Sequence, residues 1–194
     1  GHNAAADAIL RREFTNYTIT ATVPLREDGG LDWNYNGPNN DPDWGGGVNR
    51  HHWAGQLIGS YFATGNAVYV ETYDRYLRDW IMFNDYPGKR AQGPWSGLQT
   101  YMRGSNSLSA GFFALQDTPL LTSVTRILII SSILDHAHYG RNFHAEGGNW
   151  LMMEMNGLAT AALCWPEFKD SDAWFAYTLE TIVPEMKGQV YPDG

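Results

Sequence analysis

The chain has a single cysteine in 194 residues, Cys164, so no disulfide can form within it. A lone thiol in the apolar context ALCW reads as a small core residue, and it leaves the redox compartment undetermined. Basic residues are also few: Lys and Arg total 13 against 21 Asp and Glu, a formal net charge of -8, with no long basic run. That balance disfavours non-specific nucleic-acid binding, which depends on neutralising phosphates. Long apolar runs are missing too. The strongest, ILIISSIL, is too short to span a bilayer and is broken by serines, so no membrane span is expected. The opening GHN has neither a charged n-region nor an apolar h-region. A secretory signal is therefore expected to have been removed or never present, and the leading Gly-His reads as a cloning remnant.

Hydrophobic residues make up 43% of the chain, enough for one sizeable core, so residues 1–194 are expected to form a single domain. The aromatic share is 14%, with 8 Trp and 11 Tyr. Rings in that number suit a ring-rich core or a surface that stacks on sugars.

The hydrophobic period is helical nearly throughout. In YVETYDRYLRDWI, Tyr69, Tyr73, Tyr76, Leu77 and Trp80 recur at three- and four-residue steps, with Glu71, Asp74, Arg75, Arg78 and Asp79 opposite, which predicts an outer helix wet on one face. PLLTSVTRILIISSIL and NWLMMEMNGLATAALCW are apolar around most of their circumference and read as inner helices. Further helices are predicted in AAADAILRREF, NRHHWAGQLIGSYFAT, WSGLQTYMRGSNSLSAGFFAL and DAWFAYTLETIV, the last ended or kinked by Pro184. At least six helices in two layers, without a central sheet, are expected. Short joints such as ATGNA alternate with longer ones such as NDYPGKRAQGP and YGRNFHAEGG, the pattern of stacked helical hairpins whose long loops gather on one face. Helix starts at NRHHW, GPW and GNW recur at roughly 45 to 55 residues, in the range of a repeated supersecondary unit. Residues 1–48 are expected to be a first helix followed by a long irregular arm rich in Gly, Asn, Asp and Pro, wrapping the hairpins of 49–194.

The order DPDWGGGVNRHHWAGQLIGSYFATGNAVYVETYDRYLRDWI, GPWSGLQTYMR, GGNWLMMEMNGLATAALCWPEFKDSDAW and VYPDG resembles the amino-terminal, alginate-lyase-like domain of the heparinase II/III family of polysaccharide lyases, from about Asp41 onward. The resemblance implies an all-α fold, an incomplete α/α toroid of antiparallel helical hairpins, followed in the complete enzyme by a β-sandwich domain. It implies cleavage of a uronic-acid-containing acidic polysaccharide by β-elimination, in a secreted or periplasmic enzyme with no cofactor. In this family an asparagine or histidine on an inner helix neutralises the substrate carboxylate, and the matching position is Asn149. The tyrosine and histidine that the resemblance assigns to proton transfer fall beyond residue 194, so this fragment alone is expected to be inactive.

Asn149 has a second reading. After Gly147 and Gly148 it stands where an N-cap would, and asparagine is among the best caps; the two roles are compatible. Glu154, five residues on and off that face, is expected to pair with Arg50 or Arg103. NRHHW offers Asn49, Arg50, His51 and His52, where an Arg fork suits a carboxylate or sulfate, and the bland alternative is a solvated cap with Trp53 in the core. Trp95, Arg103 and Asn106 match the family's cleft-lining region more loosely, and Trp150 offers a ring edge. Arg50, His51, His52, Arg103 and Asn149 are expected to converge on one face. His136, His138 and His144 do not form a usual zinc set, because residues two apart on a helix diverge and no Cys or carboxylate completes it. Asn16 in NYT is a glycosylation sequon by pattern alone. Two rival classes stand beside the lyase: a glycan-binding or interaction module without chemistry, and a toroid glycoside hydrolase, which needs paired carboxylates across a cleft.

Overall fold

The computed structural model describes residues 3–190; the leading Gly-His and the closing YPDG, part of the last block of the resemblance, lie outside the described residues. Helix α1 (Ala4–Leu10) is capped by the Asn3 side chain, which accepts from the Ala5 and Ala6 amides. Its sequence pattern runs on to Phe14, but Arg12 takes a left-handed φ of 66° and ends the helix. Glu13–Asn16 (β1) then pairs antiparallel with Ile19–Thr22 (β2), a small hairpin the period did not announce.

A second surprise lies inside the arm. Helix α2 (Pro42–Asn49) starts on an Asp41 side-chain cap with proline in its first turn. The glycines of PDWGGGVN hide it from a propensity reading, but they are needed for packing: a Cβ on Gly46 would lie 2.6 Å from the Gln99 amide nitrogen. His51, at φ 60°, breaks the chain between α2 and α3 (His52–Thr64), so Asn49 ends one helix and does not open the next.

Helix α4 (Val68–Phe83) follows, then a 3-10 turn (Gly93–Trp95) and α5 (Gly97–Arg103), which continues through a π-helical stretch (Gly104–Ala110) into α6 (Gly111–Leu115). Helices α7 (Ser123–Phe143), α8 (Gly148–Cys164) and α9 (Ser171–Gln189) complete nine α-helices among the described residues. Helix α9 runs through Pro184 to Gln189, so the expected end there does not occur. The proline sits on the exposed side, where water can serve the carbonyl that a prolyl nitrogen leaves free.

The helices pair as α3 with α4, α5–α6 with α7, and α8 with α9. His51 meets Ser107, Tyr101 packs on Gly157, and Trp165 bonds Ser109, so α3, α5–α6 and α8 run in one direction as the inner layer. Helices α4, α7 and α9 return on the outside. This is an incomplete α/α toroid, mostly helical. Helix α7 departs from its expected inner place: it is an outer helix whose Val124 and Ile127 are 56% and 67% exposed. On α4 the five predicted apolar positions are all buried, but Asp74 is buried with them, accepting from the Thr122 amide and hydroxyl.

The rings form the core, where indole, phenol and phenyl rings meet at 5.8 to 6.5 Å. Of the 8 Trp, all but Trp150 are buried, and Cys164 packs at the edge of the core, half-buried. The arm is fastened to α4 by one carboxylate. Asp79 accepts from Arg26, from the Leu31 amide at 3.0 Å and from the Trp33 indole at 2.7 Å. Asp79→Ala is expected to destabilise the protein by about 2 to 3 kcal/mol, the scale for hydrogen bonds to a charged group whose partners are left unserved. Thermal unfolding checks this, and an unchanged midpoint would mean that the arm is held otherwise.

Candidate functional site

Helix α8 opens at Gly147, whose extended backbone forms the cap, and no side chain caps it. Asn149 is therefore not an N-cap. It is the second helical residue, exposed, with no hydrogen bond among the described residues. Gly148 answers for the glycines: its φ of 76° lies in the left-handed region, which a side chain would strain. The orphan Gly148 amide is served from α9, by Glu185 Oε1 at 2.7 Å, an interaction that holds that carboxyl below the usual carboxylate range. Trp150, beside Asn149, is 49% exposed.

The short loop before Gly147 is clamped as well. His144 Nδ1 donates to the Ala145 carbonyl, which leaves Nε2 to accept from the Tyr177 hydroxyl at 2.6 Å, while Arg141 lies 3.5 Å over the Tyr177 ring. Glu154 pairs with neither Arg50 nor Arg103. It is buried, accepts the Ala145 amide, and burial pushes its carboxyl up from the ordinary value. Gly97 makes room for it, because a Cβ there would overlap Glu154 Oε1. Beside Glu154 is a cavity of about 20 Å³, room for one water, lined by Thr100, Tyr101, His136 and Tyr139.

Several residues expected in a cleft are instead framework. Arg103 is fully buried, donating from Nη1 to the Asn49 and Pro94 carbonyls and from Nε to His136 Nε2 at 3.0 Å, with its guanidinium 3.7 Å over Trp80. Asn49 is buried, donating to the Trp33 and Gly45 carbonyls and accepting from the Trp80 indole. Trp95 is buried and donates to the Asn84 carbonyl. His51 is buried against Trp33, Trp53 and Trp80, with Nδ1 2.8 Å from Ser107 Oγ. These four cannot reach a ligand in this structure. Arg50, His52 and Asn106 stay within reach of solvent, with His52 Nδ1 3.5 Å from the Asn106 amide and Arg50 half-buried. The expected convergence thus splits into an Arg50–His52–Asn106 group at the start of α3 and an Asn149–Trp150 pair at the start of α8. Both open inner helices, and α5 packs between α2 and α8.

His136 faces Arg103, His138 faces Trp174 and His144 faces Tyr177, so the three histidines diverge. The Asn16 amide is spent on the Asp43 and Trp44 carbonyls. Sequence reasoning missed Tyr177 and Glu185, because they reach the α8 mouth from α9 and no local pattern announces them.

The model of the family described as "Heparinase II/III N-terminus" matches residues 2–194. A heparin-sulfate lyase of Bacteroides thetaiotaomicron is 26% identical over 178 residues, 88% of this chain and 24% of that protein. One from Pedobacter heparinus is 28% identical over 156 residues, 76% of this chain and 22% of the relative. This chain thus spans about a quarter of the length of the curated relatives it matches. The crystal structure of heparan sulfate lyase HepC from Pedobacter heparinus aligns with a TM-score of 0.83 at 26% identity, over 97% of this chain and 29% of that one. A crystal structure of heparinase III aligns at 0.86 and 23% identity, over 98% and 30%, a likeness of fold.

The packing around α8 and Arg103 is testable in two ways. Gly97→Ala forces the Glu154 carboxyl out of its pocket and is expected to cost about 1 to 3 kcal/mol, the scale of overpacking. Glu154→Gln, which keeps an oxygen for the Ala145 amide, is expected to cost less; equal unfolding midpoints for the two variants would remove Glu154 from the clamp. The second concerns pH. Burial, then the Arg103 charge, holds His51 and His136 well below the ordinary histidine value of 6.5. The folded state thus binds these protons more weakly than the unfolded chain. Their contribution is complete above pH 6.5 and is lost as pH falls below it, by at most about 2.7 kcal/mol per pH unit for two protons. Chemical denaturation between pH 7.5 and 5 measures it, and flat stability across that range would show that neither ring is kept neutral by folding.

Proposed function

Since this chain belongs to the heparinase II/III N-terminus family, we propose that it forms the toroid portion of a polysaccharide lyase that cleaves a uronic-acid-containing acidic polysaccharide by β-elimination. The observation that carries the reading is Asn149: an exposed side-chain amide with no hydrogen bond among the described residues, on the first turn of an inner helix and held in place by a loop clamped at both ends. In the proposed reaction a base removes the proton from the carbon beside the uronate carboxylate. The electron pair builds an enolate-like intermediate on the carboxyl group, then expels the glycosidic oxygen, which an acid protonates. That first proton is weakly acidic while the carboxylate keeps its full charge. Asn149 Nδ2 is proposed to donate to the carboxyl where charge develops, and the N-terminal end of α8 favours an anion there. The base and acid are the tyrosine and histidine of the family, proposed to come from segments beyond residue 194, so residues 1–194 alone are proposed to be inactive.

With a net charge of -8 the chain repels a polyanion at long range. Attraction must come from local donors within about 10 Å, the Debye length at 0.1 M salt. Arg50, His52 and Asn106 are the proposed second contact, with Trp150 offering a ring face to a sugar. The carboxylates at the α8 mouth are engaged with backbone amides, Glu154 at Ala145 and Glu185 at Gly148, which weighs against their use as a glycosidase pair. The relatives are named for heparin sulfate, so a glycosaminoglycan is the first substrate to test and alginate the second. A polymer of this kind is met outside the cytoplasm, so secretion or a periplasmic location is proposed, as is a following β-sandwich domain.

The test uses a longer chain that carries these residues, assayed on heparan sulfate and alginate for unsaturated uronyl products absorbing in the ultraviolet. Asn149→Ala is expected to raise the barrier by about 2 to 4 kcal/mol, the cost of removing one oxyanion-type donor. Turnover unchanged in that variant would reduce Asn149 to a surface residue.

A further inference from the structure

Away from α8, the arm and α4 enclose an open groove of about 640 Å³. Its walls are the end of α1, the loop 25–31 and the solvent side of α4, and its charged lining is Arg12, Arg26, Arg75 and Arg78 against Asp28 and Asp79. Both carboxylates are consumed within the wall. Asp79 serves Arg26, the Leu31 amide and the Trp33 indole; Asp28 serves Arg26 and the Gly30 amide. Three guanidinium groups remain. Arg75 is exposed and makes no ion pair among the described residues, lying 5.2 Å from the centre of the Tyr76 ring. Arg12 donates from one nitrogen to the Val23 carbonyl, and Arg78 meets Asp74 through a single 3.3 Å contact. The exposed carboxylates Glu27 and Glu71 belong to the same elements but stand outside the lining. Between the cations the surface is apolar: Leu25, Met82 and Phe83 are 50%, 68% and 39% exposed, with the Arg26 guanidinium 3.8 Å over one face of the Phe83 ring.

We propose that this groove is a second glycan site, which holds a sulfated or carboxylated sugar chain through Arg12, Arg75 and Arg78 and seats its sugar rings on Met82 and Phe83. Guanidinium forks match sulfate and carboxylate oxygens, and the C–H faces of sugars need an apolar floor. A local excess of positive charge in a chain of net charge -8 is the arrangement that attracts a polyanion at short range. The groove is not part of the Asn149 site: α4 packs on α1, α3 and α7, whereas α8 packs on α5, α7 and α9. It acts as a handle on a long polymer, raising the local concentration of chain near the cleft without touching the reacting bond. That this polymer is also the substrate rests on the reading in the preceding section; the groove's taste for acidic sugars does not.

The experiment uses the longer chain with Asn149→Ala to suppress turnover, and compares Arg75→Glu and the double variant Arg12→Gln, Arg75→Gln with their parent. Binding is measured for long heparan sulfate, a heparan tetrasaccharide and dextran sulfate, a sulfated sugar polymer without uronate. Affinity for both polymers is expected to fall about 3- to 10-fold, with a shallower salt dependence, as lost ionic contacts of this kind give. Tetrasaccharide affinity is expected to hold. With Asn149 restored, kcat and KM on the tetrasaccharide should match the parent. Polymer affinity equal to the parent's, no dextran sulfate binding by the parent, or guanidinium groups protected from phenylglyoxal in the glycan-free chain would each overturn the site, the last because the rest of the chain would then cover it. Arg75-dependent binding of dextran sulfate with no lyase activity on any uronate would instead leave the groove standing and remove the proposed reaction.

Discussion

A buried cation organises this fold. Arg103 has no carboxylate partner among the described residues, and burial pushes its guanidinium down from its ordinary value, yet a guanidinium does not lose its proton in a protein. Its charge is met by dipoles and by a π face. The Asn49 carbonyl is at the C-terminal end of α2, where a cation is favoured; the Pro94 carbonyl belongs to the turn before α5; the His136 lone pair comes from α7; and the Trp80 ring comes from α4. Four elements far apart in sequence must be in register for this one side chain to be solvated by protein. One of its nitrogens, Nη2, has no partner among the described residues, so little slack remains.

That constraint sets the tautomers around it. His136 gives its Nδ1 proton to the Ser132 carbonyl and presents Nε2 to Arg103, so a second proton would face a cation. Ser107 spends its hydroxyl proton on the Arg103 carbonyl and therefore accepts from His51. Polar groups thus thread an aromatic core, and each hydrogen bond fixes the direction of the next. Rings and histidines that look like ligand contacts in sequence are the means by which a charge is kept inside.

The mouth of α8 is built on a different economy. There the orphan amides of a loop and a helix start are taken by Glu154 from further along the same helix and by Glu185 from α9, and Gly148 supplies a backbone angle. With amides and turn geometry satisfied by others, the Asn149 side chain makes no hydrogen bond among the described residues and is exposed.

The helices were legible wherever period and composition agreed. The buried stripe of α4 follows from spacing alone, because a helix places every third or fourth residue on one face; such stripes imply layered helical hairpins, and the toroid was implied by the family resemblance that the motif blocks carry. Helix α2 and the β1–β2 hairpin were not legible. Glycines suppressed the first for the sake of Gln99 and Asn16; for the second, the left-handed Arg12 ends the helix and the left-handed Tyr17 turns the hairpin. The sequence by itself determined that Asn149 stands at the entrance of an apolar helix and that the chain is acidic with few cations. Tertiary structure alone decided which of those cations meets solvent. Arg103 and Arg75 have the same chemistry, and the difference between a buried framework charge and a groove donor is set by what α4, α5 and α7 place around each, contacts that no local pattern encodes.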